Sequence, residues 1–121
     1  MKLKGSCHCK ATIFEVVHEP RTVTGCTCSF CSKRGALWAY YTPTEVTIVK
    51  DEARATYQWG SKTIKHNFCA VCGCTTYTER PDWSKGEPDF DNPRISINSR
   101  PFDDLDLNKV EQVVIDGKNL W

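Results

Sequence analysis

The sequence contains no long hydrophobic run. Its longest apolar stretch, residues 36–41, is far shorter than the roughly 20 residues that cross a bilayer as a helix. Residues 1–20 also lack the apolar core of a secretory signal peptide. We therefore expect a soluble, cytoplasmic protein with no membrane partner.

An excess of charge of either sign is also missing. Lys and Arg number 16 and Asp and Glu number 15, so the formal net charge is +1. No basic run is long enough to follow a phosphate backbone. The sequence therefore predicts no nucleic-acid partner.

No linker rich in Gly, Ser or Pro and no internal repeat divides the 121 residues, so we expect one domain over residues 1–121. Leu, Ile, Val and Phe together supply only 25 residues, about a fifth of the chain. This fraction is close to the level at which a chain buries too little apolar surface to fold. A further source of stability is therefore expected.

Helical periodicity is scarce, and most apolar residues alternate with polar ones, as in half-buried strands. Turn residues such as Pro20, Pro43 and Gly60 separate these short segments. The pattern predicts a mainly β fold of antiparallel strands with little helix. The predicted strands are residues 12–17, 37–41, 46–50, 56–59, 63–68, 75–78 and 94–98, and the predicted helical turns are residues 29–33 and 105–110.

Residues 79–93 contain Pro81, Pro88, Pro93 and Gly86 among acidic side chains. Proline cannot donate a backbone hydrogen bond to a sheet, and this composition is typical of loops. We therefore predict a loop of about 15 residues here, which is long for a small domain.

The eight cysteines fall into three tight groups. In a reducing cytosol disulfides are rare, so cysteines one or two residues apart are more typical of metal ligands. Bound metal would also supply the missing stability, because a site that forms only in the folded chain adds its binding free energy to folding. The groups are Cys7 and Cys9; Cys26, Cys28 and Cys31; and Cys69, Cys72 and Cys74.

Two of these groups could together close one tetrahedral zinc site. Cys69 and Cys72 would occupy adjacent corners of the tetrahedron, and Gly73 suits the tight turn that follows them. Cys7 and Cys9 could supply the other two sulfurs from a segment about 60 positions away in the chain.

The middle group could hold a second zinc ion. Three protein ligands with an open fourth position define a catalytic zinc site, and Cys26, Cys28 and Cys31 supply three. The spacing equally allows a closed site in which Cys74 is the fourth ligand. Otherwise we expect Cys74 to be a buried, inert thiol. The histidines, of which His66 is the best candidate, are not included among the predicted ligands.

An open zinc ion with three thiolate ligands suits thiol chemistry better than hydrolysis. The ligands leave the site with a net charge of about −1, so a bound water is only weakly acidified. A substrate thiol in the fourth position would instead be held as thiolate, ready to attack an electrophile. The middle group therefore predicts thiol activation.

The cysteine motifs resemble those of the glutathione-dependent formaldehyde-activating enzyme family, to which centromere protein V is related. The resemblance covers nearly the whole chain. The matching segments are GSCHC at residues 5–9, CTCSFC at 26–31 and FCAVCG at 68–73, followed by INSR at 97–100, DLDL at 104–107 and DGKN at 116–119.

The resemblance implies a rolled antiparallel β-sheet of the β-tent kind, braced by two zinc ions per chain. The implied activity is that of a carbon-sulfur lyase, which reversibly joins glutathione and formaldehyde into S-hydroxymethylglutathione. Lys33 and Arg34 would then bind the carboxylates of glutathione, or they form a solvated surface pair. The implied ligands are Cys7, Cys9, Cys69 and Cys72 for a closed structural zinc and Cys26, Cys28 and Cys31 for an open catalytic zinc.

Two other functions are compatible with the sequence. A non-enzymatic zinc-binding module for protein interaction, which the relation to centromere protein V permits, would have both metal sites closed. A thiol-disulfide oxidoreductase would use Cys69 and Cys72, but the βαβ pattern of such proteins is missing around them.

Overall fold

Short strands dominate the structure, a computed structural model that describes residues 2–120. The mainly β fold class with little helix is confirmed. The strands are β1 (Leu3–Ser6), β2 (Thr12–Val16), β3 (Thr22–Cys26), β4 (Trp38–Tyr41), β5 (Val46–Asp51), β6 (Arg54–Tyr57), β7 (Lys65–Cys69), β8 (Thr75–Asp82), β9 (Asp89–Asn98) and β10 (Glu111–Ile115). The helices are α1 (Ser29–Arg34) and α2 (Gly117–Leu120), and two 3-10 turns span Pro43–Glu45 and Leu107–Lys109.

The strands form two sheets. One contains three strands in the order β1-β2-β5, and the other contains seven in the order β10-β3-β4-β9-β8-β7-β6. Neighbouring strands are antiparallel except β10, which runs parallel to β3. The antiparallel sheet predicted from the sequence is confirmed, with this one parallel pair at its edge. The long connection between β3 and β10 allows the chain to return in the same direction, which a hairpin turn cannot do.

The hydrophobic core lies between the two sheets. In β2, Phe14 and Val16 alternate with half-buried residues and point inward, as expected for a strand with one buried face. Burial of these side chains supplies the main apolar stabilisation of the fold. The core residues are Leu3, Phe14, Val16, Ala39, Tyr41, Tyr77, Ile97 and Phe102.

The loop predicted for residues 79–93 is wrong, because β8 and β9 form a long hairpin that extends into this segment. Arg80 lies opposite Arg94 and Asp82 opposite Asp89, with an irregularity in the register between Arg80 and Asp82. Pro81 lies at this irregularity, where a sheet tolerates the missing N–H donor. Only residues 83–88 connect the two strands.

The seven predicted strands are all present, with bounds that differ by a few residues. The pattern missed β1, β3 and β10, which are short or largely exposed. The predicted turn at 29–33 corresponds to α1, and the one at 105–110 is a 3-10 turn capped by Asp106. Within residues 2–120, no helix is both long enough and apolar enough to cross a membrane.

Candidate metal centres

The structure brings together the four cysteines predicted for the closed site. The sulfurs of Cys7, Cys9, Cys69 and Cys72 all lie within 4.8 Å of one another. The Cys9 sulfur is 3.7 Å from that of Cys7 and 3.6 Å from that of Cys69. A tetrahedron with Zn–S bonds of about 2.3 Å has S–S edges of about 3.8 Å. This four-cysteine group therefore has the size and chemistry of a zinc site.

Two turns position these sulfurs. At the end of β1, the Cys7 sulfur accepts a hydrogen bond from the Thr12 N–H at 3.3 Å. At the end of β7, the Gly73 N–H donates to the Cys69 carbonyl at 2.8 Å, and Gly73 adopts a φ of 81° that favours glycine. The four-cysteine group thus joins a turn of the three-stranded sheet to a turn of the seven-stranded sheet.

The thiols of the four-cysteine group compete for ionisation. Backbone N–H groups of Cys74 and Cys9 lower the pKa of Cys72 to about 5. The Ala11 N–H favours the Cys9 thiolate, but burial and the neighbouring thiols raise the pKa of Cys9 to about 11. Ionisation of one thiol therefore disfavours ionisation of its neighbours, as expected for like charges in one site. A divalent cation among the sulfurs removes this conflict.

The middle group of cysteines also assembles, at the junction of β3 and α1. Cys26 ends β3, Cys28 caps the N-terminus of α1, and Cys31 lies in its first turn. The Cys31 N–H donates to the Cys28 sulfur at 3.3 Å, and the three sulfurs lie within 4.8 Å of one another. Within the described residues, no fourth Cys, His, Asp or Glu joins this group. The three-cysteine group can therefore hold a metal ion with one position open.

Ionisation in the three-cysteine group shows the same conflict. Burial raises the pKa of Cys31 to about 12, against a hydrogen bond from Trp38, and the adjacent Cys28 raises it further. Burial also disfavours the Cys28 thiolate, but the Cys31 N–H and the neighbouring thiols outweigh it and lower the pKa of Cys28. In the absence of a cation, one thiolate in the group is favoured over two or three.

Cys74 belongs to neither group. Its carbonyl accepts a hydrogen bond from the Cys69 N–H at 2.9 Å, which closes the turn and keeps Cys74 beside Cys72. It therefore does not complete the three-cysteine group, as the spacing had allowed. The prediction of a buried thiol is also wrong, because Cys74 is half-buried and lines a cavity of about 710 Å³.

A row of polar and aromatic side chains crosses the sheet beneath α1. Tyr40 lies opposite Ser96, which lies opposite Thr78, and the row continues through His66 to Tyr57. Directly opposed residues project from the same face of a sheet. The opposite face of the same strands contributes Ala39, Tyr41, Tyr77 and Ile97 to the core. The face nearest the three-cysteine group is therefore polar.

Helix α1 packs on this row through Phe30. The Phe30 ring lies 4.0 Å from that of His66 and 5.8 Å from that of Tyr57, centroid to centroid. Burial, followed by the nearby Arg34 charge, lowers the pKa of His66 to about 4. His66 is therefore a neutral packing residue at neutral pH, and the three histidines join neither cysteine group.

Tyr40 lies beside the three-cysteine group, and Arg80 lies against Tyr40. The Arg80 guanidinium lies 5.1 Å from the centre of the Tyr40 ring, and its Nε donates to the Ser96 hydroxyl at 3.2 Å. Partial burial raises the pKa of Tyr40 and outweighs a hydrogen bond with Thr24 and the nearby Arg80 charge, both of which lower it. Tyr40 and Arg80 carry no signal in the sequence, because only the pairing of β4, β9 and β8 brings Arg80 to the Tyr40 ring.

Comparisons with known proteins agree with this geometry. A crystal structure of a Rhodobacter sphaeroides protein is similar to this chain, with 29% sequence identity and a TM-score of 0.73 over 92% of this chain and 97% of that one. The family model described as glutathione-dependent formaldehyde-activating enzyme matches residues 2–92, which include all eight cysteines. The chain therefore belongs to the glutathione-dependent formaldehyde-activating enzyme family.

Proposed function

We propose that the protein is a zinc-dependent carbon-sulfur lyase. It would form and cleave S-hydroxymethylglutathione, or a related adduct, from a small thiol such as glutathione and an aldehyde such as formaldehyde. The observation that carries this proposal is the three-cysteine group, whose sulfurs lie within 4.8 Å of one another without a fourth ligand among residues 2–120. Family membership supports the same reaction.

The donor sets fit two zinc ions per chain. Cys7, Cys9, Cys69 and Cys72 would hold the structural ion, and Cys26, Cys28 and Cys31 would hold the other. An ion at the three-cysteine group would supply Lewis-acid stabilisation of a substrate thiolate near neutral pH. Because both sites need reduced cysteines, and all eight are free thiols, we also propose a cytoplasmic location.

The residues around the three-cysteine group suit addition of a thiolate to an aldehyde. As the carbon-sulfur bond forms, the carbonyl electron pair moves onto oxygen and the resulting alkoxide takes up a proton; cleavage is the reverse. Tyr40, whose raised pKa keeps its hydroxyl protonated at neutral pH, can donate that hydrogen bond or proton. The Arg80 charge, held by Ser96 and the Tyr40 ring, would stabilise the developing negative oxygen.

The first test combines metal content with thiol binding. Protein purified without chelator is analysed for zinc, and glutathione is then titrated calorimetrically into wild type, Cys31→Ser and Cys74→Ser. We expect two zinc ions per chain and glutathione binding in wild type and in the Cys74→Ser control. Cys31→Ser should keep one zinc ion and lose glutathione binding.

Turnover is tested by NMR exchange between glutathione, formaldehyde and their adduct, measured above the spontaneous rate. We expect wild type to accelerate the exchange, Cys31→Ser to abolish the acceleration, and Tyr40→Phe to reduce it about 10- to 100-fold, in the range of a general acid. Two zinc ions without binding of any thiol would instead favour the non-enzymatic zinc module.

A further inference from the structure

A second feature near the three-cysteine group is a cavity of about 400 Å³ between α1 and the end of β6. Its walls are Ser29, Phe30, Lys33, Arg34, Tyr57 and Trp59. The volume lies within the range of small-molecule sites, which combine aromatic walls with a few polar groups. We call it the α1 pocket.

The aromatic walls of the α1 pocket are ordered but incompletely covered. Tyr57 and Trp59 are 46% and 37% exposed. Their rings are nearly parallel to that of buried Phe30, at interplanar angles of 5° and 20°. Parallel aromatic faces at the surface offer a flat group, such as a peptide plane, a place to stack.

The charge of the α1 pocket is positive and uncompensated. Lys33 and Arg34 contribute two cations, and no Asp or Glu lines the pocket. Within the described residues, neither cation lies within 4.0 Å of a carboxylate. Arg34 is also held in place, 4.6 Å from the Phe30 ring centre and with a hydrogen bond to the Thr75 hydroxyl at 3.3 Å. A fixed guanidinium of this kind suits a carboxylate.

The α1 pocket and the three-cysteine group share one helix. Arg34 follows Cys31 by three residues, so the two lie on adjacent stripes of α1 about 5 Å apart along its axis. From a central cysteine, an extended tripeptide reaches about 7 Å to either end. One small peptide can therefore place a sulfur at the three-cysteine group and a carboxylate at Arg34.

We propose that the α1 pocket binds the carboxylate-bearing end of the thiol substrate and so selects anionic peptide thiols over simple ones. This inference rests on the proposed function. The carboxylate would pair with Lys33 and Arg34, and the adjoining peptide group would stack on Tyr57 and Trp59. The alternative is that the two cations, which lie in the last turn of α1, only stabilise the helix dipole. In that case their substitution would leave ligand binding unchanged.

The test compares two probes on the zinc-loaded full-length protein. Glutathione carries both thiol and carboxylates, whereas 2-mercaptoethanol carries only the thiol. Affinities are measured calorimetrically for wild type, Lys33→Met, Arg34→Gln and the control Lys109→Met, which changes an exposed lysine of a 3-10 turn outside the pocket. Zinc content and thermal midpoint verify that each variant is folded.

We expect Lys33→Met and Arg34→Gln each to weaken glutathione binding about tenfold, the effect of a lost charge-assisted hydrogen bond. Binding of 2-mercaptoethanol should not change in these variants, and Lys109→Met should behave as wild type. Glutathione affinities within roughly twofold of wild type in both pocket variants would overturn the proposal. So would a wild type that binds 2-mercaptoethanol as tightly as glutathione. If neither probe binds wild type, the proposed function fails as well.

Discussion

At the scale of single residues, Gly5 allows the chain to pack closely around Phe14. Gly5 lies opposite Phe14 in the sheet and forms a bridge to Phe102. A Cβ at this position would lie 2.6 Å from the Phe14 ring and 2.9 Å from the Pro101 carbonyl oxygen. Both distances are shorter than van der Waals contact, and Phe14 is fully buried, so the ring has little room to move.

Gly5→Ala should therefore destabilise the fold by about 2 kcal/mol, within the range for overpacked cores. The matched control is Gly25→Ala, also in a strand, where the added Cβ meets only the Leu37 side chain at an ordinary 3.6 Å. Urea denaturation of the zinc-loaded proteins measures both effects. Equal losses of stability in the two variants would contradict this prediction. They would show that replacing any strand glycine is destabilising, with no specific contribution from the clash with Phe14.

His66 gives a pH dependence at the same scale. Its pKa is about 4 in the folded protein against 6.5 for a free imidazole, so the unfolded chain binds its proton first as the pH falls. Stability is therefore full above pH 6.5 and decreases as the pH drops towards 4. Between pH 7.5 and 5.5 this one group should cost about 1.4 kcal/mol.

The variant His66→Phe should lose that part of the pH dependence, because phenylalanine fills the space against Phe30 and does not titrate. The measurement is the difference in unfolding free energy between wild type and variant at pH 7.5 and 5.5. His18, whose pKa is raised by the Glu19 carbonyl and by Glu45, is common to both proteins and cancels. An unchanged difference at the two pH values would contradict the assignment.

Prediction from sequence succeeded at residue scale where the chemistry is local. Cysteines one or two residues apart indicate a possible metal site, and the structure brings the cysteines of each predicted group together. Tyr40, Arg80, Tyr57 and Trp59 carry no such signal. Tyr40, Tyr57 and Trp59 come close to α1 only because distant segments pair in the sheet, and Arg80 reaches Tyr40 in the same way. An isolated aromatic or arginine is compatible with any exposed strand.

At the scale of elements, the sequence likewise predicted the strands whose pattern is local and missed those that depend on the rest of the fold. Alternating segments such as β2 were predictable because one face is buried. β10 was missed because most of its residues are exposed and show no alternation of burial. The hairpin of β8 and β9 was missed because its prolines resemble loop residues, although Pro81 lies where the register shifts.

The missed strand β10 supports the three-cysteine group through Thr27, the residue between Cys26 and Cys28. The Thr27 N–H donates to the Ile115 carbonyl at 3.0 Å, its hydroxyl donates to Asp116 at 3.1 Å, and the same hydroxyl accepts from the Lys118 N–H at 3.1 Å. The chain just after β10 thus fixes the start of the cysteine turn.

Thr27→Val preserves the shape of the side chain but removes the hydroxyl hydrogen bonds to Ile115, Asp116 and Lys118. We expect a loss of about 1 kcal/mol in stability and zinc binding at the three-cysteine group weakened about tenfold, as when outer supports of a metal site are removed. The four-cysteine group should keep its metal. Competition with a chromophoric chelator separates the two sites, and weakening at both would indicate a general loss of structure instead.

At the scale of the whole molecule, the two sheets share a small apolar core and one four-cysteine group. Leu, Ile, Val and Phe make up about a fifth of the chain, and much of β6 and β10 is exposed. Cys7 and Cys9 follow β1 in one sheet, whereas Cys69 and Cys72 flank the end of β7 in the other. A metal ion bound by the four-cysteine group would link the two sheets. The three-cysteine group, in contrast, lies at the junction of β3 and α1 within one sheet.

If each cysteine group binds zinc as proposed, removal of the two metals should therefore have different consequences. Binding of a structural zinc contributes about 10–16 kcal/mol, as much as or more than the net stability of a small domain, about 5–15 kcal/mol. We expect Cys72→Ser to unfold at 37 °C, whereas Cys31→Ser keeps a cooperative transition lowered by a few degrees. In wild type, graded chelation should first release one zinc without change in the far-ultraviolet circular dichroism. Release of the second should coincide with unfolding. Loss of both metals with the β signal intact would mean that the core alone holds the sheets together.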